Sequence, residues 1–176
     1  MNPKVKKIKM IISDVDGVWT DGSFYKGTDG QEFKKFNVHD GVGVAMARAA
    51  GLKIALISGR YSPATEYRAK ELNIEDVYNG GLNKIPAYNE LKNKYNLIDS
   101  EIAYVGDDLI DIPVMEKVGF PIAVDNAIED VKKISVYTTK SPGGNGAFRE
   151  AVVWILEEQG RMNNIINVMK EKILNS

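Results

Sequence analysis

The sequence predicts an α/β fold in which a doubly wound, mostly parallel sheet carries helices on both faces. Short β-branched runs alternate with segments of helical periodicity, and this alternation is typical of parallel sheets. Polar residues directly follow several of the runs, and such sheets bind ligands at the carboxyl ends of their strands. With 176 residues and 44% apolar side chains, we expect a single domain over residues 1–176.

Strands and helices can be assigned in order. The buried strands are predicted at Ile8 to Val15, Ile54 to Ser58, Asp76 to Tyr78, Ile102 to Val105 and Pro121 to Val124. The helices are predicted at Gly41 to Ala50, Ala64 to Leu72, Lys84 to Tyr95, Ile112 to Lys117, Asn126 to Lys132 and Ala147 to Glu158. Asp40 is interpreted as the cap of the first helix.

Two segments depart from the alternation. Strand candidates at Ser23 to Lys26 and Glu32 to Phe36 flank an Asp-Gly turn signal, which predicts an antiparallel hairpin inserted at about residues 19–37. A lone hairpin is marginal in water, so it packs on its own domain or on another subunit. The tail at about residues 160–176 has apolar residues at helical spacing, which predicts an amphipathic helix. We expect this helix to dock either on its own core or on a partner.

Composition excludes several classes of function. The chain has no cysteine, which removes disulfides, thiolate metal sites and cysteine nucleophiles. The formal net charge of -1 gives no indication of nucleic-acid binding. The first apolar run is too short and too acidic for a signal peptide or a membrane span. We therefore expect a cytoplasmic protein that binds neither nucleic acid nor membrane.

The strongest local signal is "IISDVDGVWTDG", in which an apolar strand ends in Asp14 and Asp16. Side chains at i and i+2 of a strand point the same way, and carboxylates so close together repel each other unless a cation is present. Since only oxygen ligands are in sight, Mg²⁺ is the expected cation. Turn capping is the plainer alternative for this motif alone.

Three further motifs follow predicted strands. Ser58 and Gly59 end "ALISGR", where glycine lets an anion approach the backbone. Lys84 begins a predicted helix, where its charge opposes the helix dipole unless an anion is near. A third apolar strand leads into "GDDLID", which carries three aspartates. Helix capping explains one of these aspartates well and three poorly.

The ordered set resembles the haloacid dehalogenase superfamily of phosphotransferases, and the likeness covers all four recognised motifs of that superfamily. The resemblance implies a Rossmann-like fold and, because the insertions are small, no cap domain. It also implies roles for individual residues. Asp14 is expected as the nucleophile, Asp16 as the general acid and base, and Ser58 and Lys84 as the phosphate clamp. The expected Mg²⁺ ligands are Asp14, Asp107 and the backbone carbonyl of Asp16. Asp108 and Asp111 are expected to support the metal or to orient Lys84.

Longer stretches, among them "DGQEFKKFNVHDGVGV" and "GGNGAFREAV", resemble the 3-deoxy-D-manno-octulosonate 8-phosphate phosphatases of lipopolysaccharide precursor synthesis. This likeness implies a small phosphorylated sugar acid as substrate, and a homotetramer in which a neighbouring subunit completes each active site. Arginine pairs well with carboxylates. By analogy, substrate contacts are expected at Ser58, Gly59, Arg60, Arg68, Lys84 and Arg149.

Three alternatives stay open at this stage. A sibling enzyme acting on a nine-carbon keto-sugar acid 9-phosphate has the same motifs, although relatives of that kind can carry an acidic residue where Arg60 stands. A phospho-accepting receiver domain also combines aspartates, Ser or Thr, Lys and Mg²⁺. A non-catalytic assembly module derived from a phosphatase is the third.

Overall fold

The computed structural model describes residues 5–175; residues 1–4 and 176, at the ends of the predicted domain, lie outside the described residues. Eight strands are present in this part of the chain. They are β1 (Met10–Ser13), β2 (Tyr25–Lys26), β3 (Glu32–Phe33), β4 (Lys53–Ser58), β5 (Asp76–Asn79), β6 (Ile102–Gly106), β7 (Phe120–Ala123) and β8 (Tyr137–Thr138).

Six of the strands form one sheet in the order β5-β4-β1-β6-β7-β8, and every pairing in it is parallel. From β1 the chain first adds β4 and β5 on one side and then returns to add β6, β7 and β8 on the other. β1 therefore lies at the topological switch point, where ligands bind in doubly wound sheets. β8 was not predicted, because two residues at a sheet edge carry no readable periodicity.

Seven α-helices cover the sheet within the described residues. They are α1 (Val38–Ala49), α2 (Pro63–Glu71), α3 (Ile85–Tyr95), α4 (Ile112–Met115), α5 (Glu129–Ile134), α6 (Ala147–Glu158) and α7 (Met162–Leu174). α1 packs against α6 and α7, whereas α4 packs against α3 and α5. The predicted elements are confirmed with shifted ends, and all four residues of β1 are buried between these helix layers.

The role predicted for Asp40 is wrong. α1 is capped instead by Asn37, whose side chain accepts a hydrogen bond from the N–H of His39 at 2.9 Å. Asp40 lies buried in the first turn of α1 and accepts a 3.0 Å hydrogen bond from the N–H of Arg149. It thereby caps α6, a helix more than a hundred residues away, because the two helices pack together.

The predicted hairpin is present but short. β2 and β3 pair over two residues each, and Gly30 adopts the positive φ of 84° that its turn requires. Beyond Phe33 the chain leaves the pairing and runs toward the carboxyl end of the sheet. Three hairpin aromatics stay exposed, with Phe24 at 47%, Tyr25 at 63% and Phe33 at 59%.

The remaining architecture matches two further expectations. In the described chain only the hairpin segment lies between β1 and α1, and only α2 and the sheet strand β5 lie between β4 and α3, so no cap domain is present there. α7 docks on the core through the buried Ile165, while Ile173 and Leu174 are exposed. No helix in the described part of the chain is long and apolar enough to cross a bilayer.

Candidate active site

Asp14 stands at the carboxyl end of the central strand β1. Its N–H donates to the carbonyl of Val105 on β6 at 2.9 Å, which fixes the backbone of Asp14 beside that strand. The side chain is 4% exposed, and its Oδ1 accepts hydrogen bonds from the N–H of Val15 at 2.7 Å and from Lys84 Nζ at 2.8 Å. The carboxylate is therefore buried and held in one orientation.

Lys84 is a buried ammonium surrounded by acceptors. Its Nζ lies 2.8 Å from Asp14, 2.7 Å from Asp111 and 3.2 Å from the hydroxyl of Tyr104. Burial lowers the pKa of Lys84, but the charges of Asp14 and Asp111 outweigh this effect, so its pKa lies above the ordinary value. Lys84 consequently carries its positive charge in the site.

Asp111 uses both oxygens to organise the site. Oδ1 accepts from Lys84 at 2.7 Å and from the Tyr104 hydroxyl at 2.6 Å. Oδ2 accepts from the backbone N–H groups of Asp107 at 2.9 Å and Asp108 at 3.3 Å. These contacts make Asp111 an orienting group for Lys84 and for the loop after β6.

Asp107 has the least compensated carboxylate of the cluster. Its Oδ1 is buried and has no hydrogen-bond partner among the described residues. Burial, followed by the charges of Asp14, Asp111 and Asp108, raises its pKa to about 8. Burial and the charge of Asp111 raise the pKa of Asp14 to about 7, although Lys84 opposes the shift.

This excess of negative charge fits a bound cation. Oxygens of Asp14, Asp107 and Asp111 lie within 4.8 Å of one another, and oxygen-only ligand sets suit Mg²⁺. Because Asp111 is already engaged by four donors, Asp14 and Asp107 are the carboxylates that would hold the ion. Ligation by the backbone carbonyl of Asp16 stays a prediction.

Close backbone packing brings the two aspartate loops together. Gly17 has a φ of 91°, and a Cβ there would lie 2.0 Å from Asp107 Oδ2. Asn126 ties Gly17 to the glycine-rich loop, since its Nδ2 donates to the Gly17 carbonyl at 3.1 Å and its Oδ1 accepts from the N–H of Gly143 at 2.5 Å. Asn126 thus holds the loop after β1 in place against the glycine-rich loop.

Asp16 lies at the mouth of the site and is paired with a lysine that the sequence analysis did not single out. Lys34 Nζ lies 2.6 Å from Asp16 Oδ1 and 2.9 Å from Oδ2. The Asp16 side chain is 29% exposed, whereas that of Lys34 is wholly buried. Lys34 follows β3, so the hairpin segment delivers it to the site.

A cleft of about 190 Å³ opens above these groups. Its lining comprises Asp14, Asp16, Gly22, Phe24, Gly59, Arg60, Leu82, Asp107, Asp108 and Ile110. Ser58 lies buried beside it, and its hydroxyl donates to the Arg60 carbonyl at 2.9 Å. Gly59 packs closely, because a Cβ there would lie 2.8 Å from Ile110 Cδ1.

Arg60 is fixed at the rim by the hairpin. Both terminal guanidinium nitrogens bind the carboxylate of Glu32 on β3, and the Ser62 hydroxyl donates to the same carboxylate at 2.9 Å. These hydrogen bonds, led by those from Arg60, lower the pKa of Glu32 to about 2. Arg60 also lies over the ring of Phe24, 4.1 Å from its centroid.

The other two predicted arginines lie outside the cleft lining. Arg68 lines a separate surface groove with Phe36 and Tyr67, where it donates to the Asn37 carbonyl at 3.2 Å. Arg149 is on α6 beside α1. The structure thus brings together the catalytic and metal residues predicted from sequence, and leaves Arg68 and Arg149 apart from them in this chain.

Three residues of the site were missed by sequence reasoning. Tyr104 is an ordinary residue of a buried strand, and nothing in the sequence marks its hydroxyl as a partner of Asp111. Glu32 and Lys34 carry a weak signal, since a strand candidate with opposite charges at i and i+2 presents both on one face. That spacing indicates a shared face but names neither Asp16 nor Arg60 as the partner.

The fold and this carboxylate cluster define a hydrolase of the haloacid dehalogenase class. Residues 57–150 match the family model of haloacid dehalogenase-like hydrolases. A 3-deoxy-D-manno-octulosonate 8-phosphate phosphatase of Escherichia coli K12 is 42% identical over 160 residues, which are 91% of this chain and 85% of that protein.

Solved structures give the same result. The 3-deoxy-D-manno-octulosonate 8-phosphate phosphatase of Moraxella catarrhalis, solved with magnesium, phosphate and KDO, is 38% identical, with a TM-score of 0.90 over 94% of this chain and 95% of that one. The cobalt-bound enzyme of Haemophilus influenzae is 37% identical, with a TM-score of 0.86 over 90% and 93% of the two chains. The present chain belongs to this phosphatase family.

The raised carboxyl pKa values predict how the metal-free protein responds to pH. Asp107 ionises near pH 4 when unfolded and near pH 8 when folded, so the folded state loses stability as pH rises through this interval. We expect Asp107→Asn to raise the free energy of unfolding at pH 8 by at least about 1 kcal/mol, since one pKa unit corresponds to about 1.4 kcal/mol.

Urea unfolding in EDTA at pH 5 and pH 8 measures this effect. The matched control is Asp125→Asn, which changes an exposed aspartate after β7. Equal losses of stability between pH 5 and pH 8 in Asp107→Asn and in the unaltered protein would contradict the assignment.

Proposed function

We propose that this chain is a magnesium-dependent phosphomonoesterase that hydrolyses 3-deoxy-D-manno-octulosonate 8-phosphate to the free sugar acid and phosphate. The observation that carries the proposal is the placement of Asp14, whose carboxylate is held by Lys84 at 2.8 Å beside the uncompensated Asp107. The names of the relatives support the choice of substrate. The cytoplasmic location stays a prediction.

Asp14 is the nucleophile in this proposal. Because Val15 and Lys84 both bind its Oδ1, we assign Oδ2 to the attack on phosphorus. The Oδ2–P bond forms while the bond from phosphorus to the sugar oxygen breaks, which gives an aspartyl phosphate on Asp14. Bound Mg²⁺ would offset the charge of the phosphate oxygens, and Lys84 contributes a second positive charge from the protein.

Asp16 handles the protons of both steps. In the first it gives a proton to the departing sugar oxygen, and in the second it takes a proton from the water that attacks the aspartyl phosphate. Water then becomes part of the released phosphate, and the Asp14 carboxylate is regenerated. The position of Asp16 at the open mouth of the cleft, two residues from Asp14, supports this role.

The rim of the cleft supports a sugar acid as the leaving group. Arg60 is presented beside Phe24 at the opening, where Glu32 fixes the position of the guanidinium, and arginine is well suited to bind carboxylates. We assign Arg60 to the substrate carboxylate, with Ser58 and Gly59 at the phosphate.

The remaining substrate contacts are assigned to a homotetramer. The rim is open to solvent, and the exposed Phe24, Tyr25 and Phe33 provide apolar surface on the hairpin next to it. We propose that a second copy covers this surface. In that arrangement Arg68 and Arg149, which do not line the cleft of their own chain, reach the site of a neighbour.

Removal of the nucleophile tests the reaction type. Asp14→Asn is expected to lower the rate of phosphate release by roughly 10³-fold or more, because the amide cannot form the intermediate. The measurement is Mg²⁺-dependent release of inorganic phosphate by the full-length protein. Undiminished release by Asp14→Asn would refute the mechanism.

The substrate assignment depends on Arg60. Arg60→Met is expected to raise KM for the eight-carbon sugar acid phosphate by about 10-fold to 100-fold, as expected for losing a charged hydrogen bond of about 1.5–3 kcal/mol. KM for p-nitrophenyl phosphate, which has no carboxylate, should change little. Lys53→Met, at the opposite end of β4, serves as the control.

A comparison of substrates separates the sibling function. Steady-state kinetics with eight-carbon and nine-carbon keto-sugar acid phosphates should give the higher kcat/KM for the eight-carbon compound. Preference for the nine-carbon phosphate would replace the proposed substrate and leave the phosphatase assignment intact.

The assembly is tested by charging the hairpin surface. Tyr25→Asp is expected to shift the protein from tetramer to smaller species in sedimentation analysis, because it places a charge in the proposed contact. Ile98→Asp alters a residue of matched exposure, 62% against 63% for Tyr25, before the amino end of β6. A tetramer retained in Tyr25→Asp, or a monomeric unaltered protein, contradicts the proposed interface.

A further inference from the structure

We propose that Lys34 is a positioning residue for Asp16, and that the inserted hairpin exists in part to deliver it. The inference rests on the proposed function, because it assumes that Asp16 moves the protons of the reaction. Lys34 lies outside the four recognised motifs, on the segment that follows the hairpin.

The contact geometry favours a positioning role. Lys34 Nζ reaches both oxygens of Asp16, at 2.6 Å and 2.9 Å. A partly exposed carboxylate otherwise samples several rotamers, and a donor that engages both oxygens restricts this freedom. Lys34 approaches from the protein interior, so the exposed side of Asp16 remains available to the cleft.

Burial argues against Lys34 as a substrate ligand. Its side chain has no exposed surface, which separates the ammonium from a phosphate in the cleft. Its nearest further partner is the hydroxyl of Thr65 on α2, at 3.4 Å. A buried ammonium needs hydrogen-bond acceptors, and the Asp16 oxygens supply them.

The segment that carries Lys34 is itself anchored. Two residues earlier, Glu32 binds Arg60 and accepts a hydrogen bond from Ser62. The backbone that leads to Lys34 is therefore tied to the loop after β4, independently of Asp16. Glu32 and Lys34 together contact the two groups of the rim that the proposed function assigns to sugar recognition and proton transfer.

This arrangement makes the contribution of Lys34 depend on the leaving group. A sugar alkoxide is a poor leaving group and needs the proton from Asp16, whereas p-nitrophenolate departs without one. The value of kcat/KM reports the steps up to departure of the leaving group. A misplaced Asp16 should therefore reduce kcat/KM for the sugar phosphate far more than for the aryl phosphate.

The experiment compares kcat/KM for 3-deoxy-D-manno-octulosonate 8-phosphate and p-nitrophenyl phosphate in full-length variants with Mg²⁺. Lys34→Met is expected to lower the sugar phosphate value by roughly 10²-fold, the lower end of general acid catalysis, with a much smaller loss for the aryl phosphate. Lys34→Arg should recover part of the loss. Lys35→Met, which alters the exposed neighbouring lysine, should leave both values unchanged.

A double-mutant cycle distinguishes a loss of positioning from a loss of activity caused by misfolding. In Asp16→Asn the buried ammonium has lost its partner, so adding Lys34→Met removes an unpaired charge and should cost no further activity on the sugar phosphate. Equal losses on both substrates in Lys34→Met, no loss on either, or losses that multiply in the double variant would overturn the proposal. Failure of the unaltered protein to release phosphate from the sugar substrate would instead refute the proposed function, and the proposal with it.

Discussion

The organisation of this molecule depends on one buried cation, Lys84, among three carboxylates. Its ammonium is shared by Asp14 and Asp111 at 2.8 Å and 2.7 Å, which leaves Asp107 without a positive partner in the described chain. A buried carboxylate without a counter-ion is costly. The protein therefore maintains a local deficit of positive charge, and this deficit is the physical reason that the cluster suits a metal ion.

The sheet topology explains why these charges meet. Asp14 follows β1, Asp107 follows β6, and Lys84 stands at the start of α3 after β5, so residues distant in sequence converge on one edge of a parallel sheet. Position at the switch point makes Asp14 central and buried. The hairpin then adds what the sheet cannot provide, since Lys34 and Glu32 reach the rim from outside the βα repeat.

Most of the fold and the centre of the site could be predicted from sequence, because Asp14, Asp16 and the Asp107 cluster each follow a predicted strand. Turn or helix capping can explain a single aspartate of this kind, but not the whole set. Pairings between residues that are distant in sequence could not be predicted in this way. Asp40 looks like a local helix cap but caps α6, and Lys34 looks like a surface lysine but is buried against Asp16. In both cases the partner is selected by packing between elements, about which a local pattern carries no information.

The pairing of Glu32 with Arg60 constrains how this enzyme can diverge. An acidic residue at position 60 would face Glu32 across a short distance, so the first of two substitutions would place like charges together and weaken the anchoring of the hairpin. Mutational paths toward another sugar should therefore pass through position 32 before position 60. Given the role proposed for Arg60, this single ion pair at the rim would set the order of the substitutions that change substrate choice.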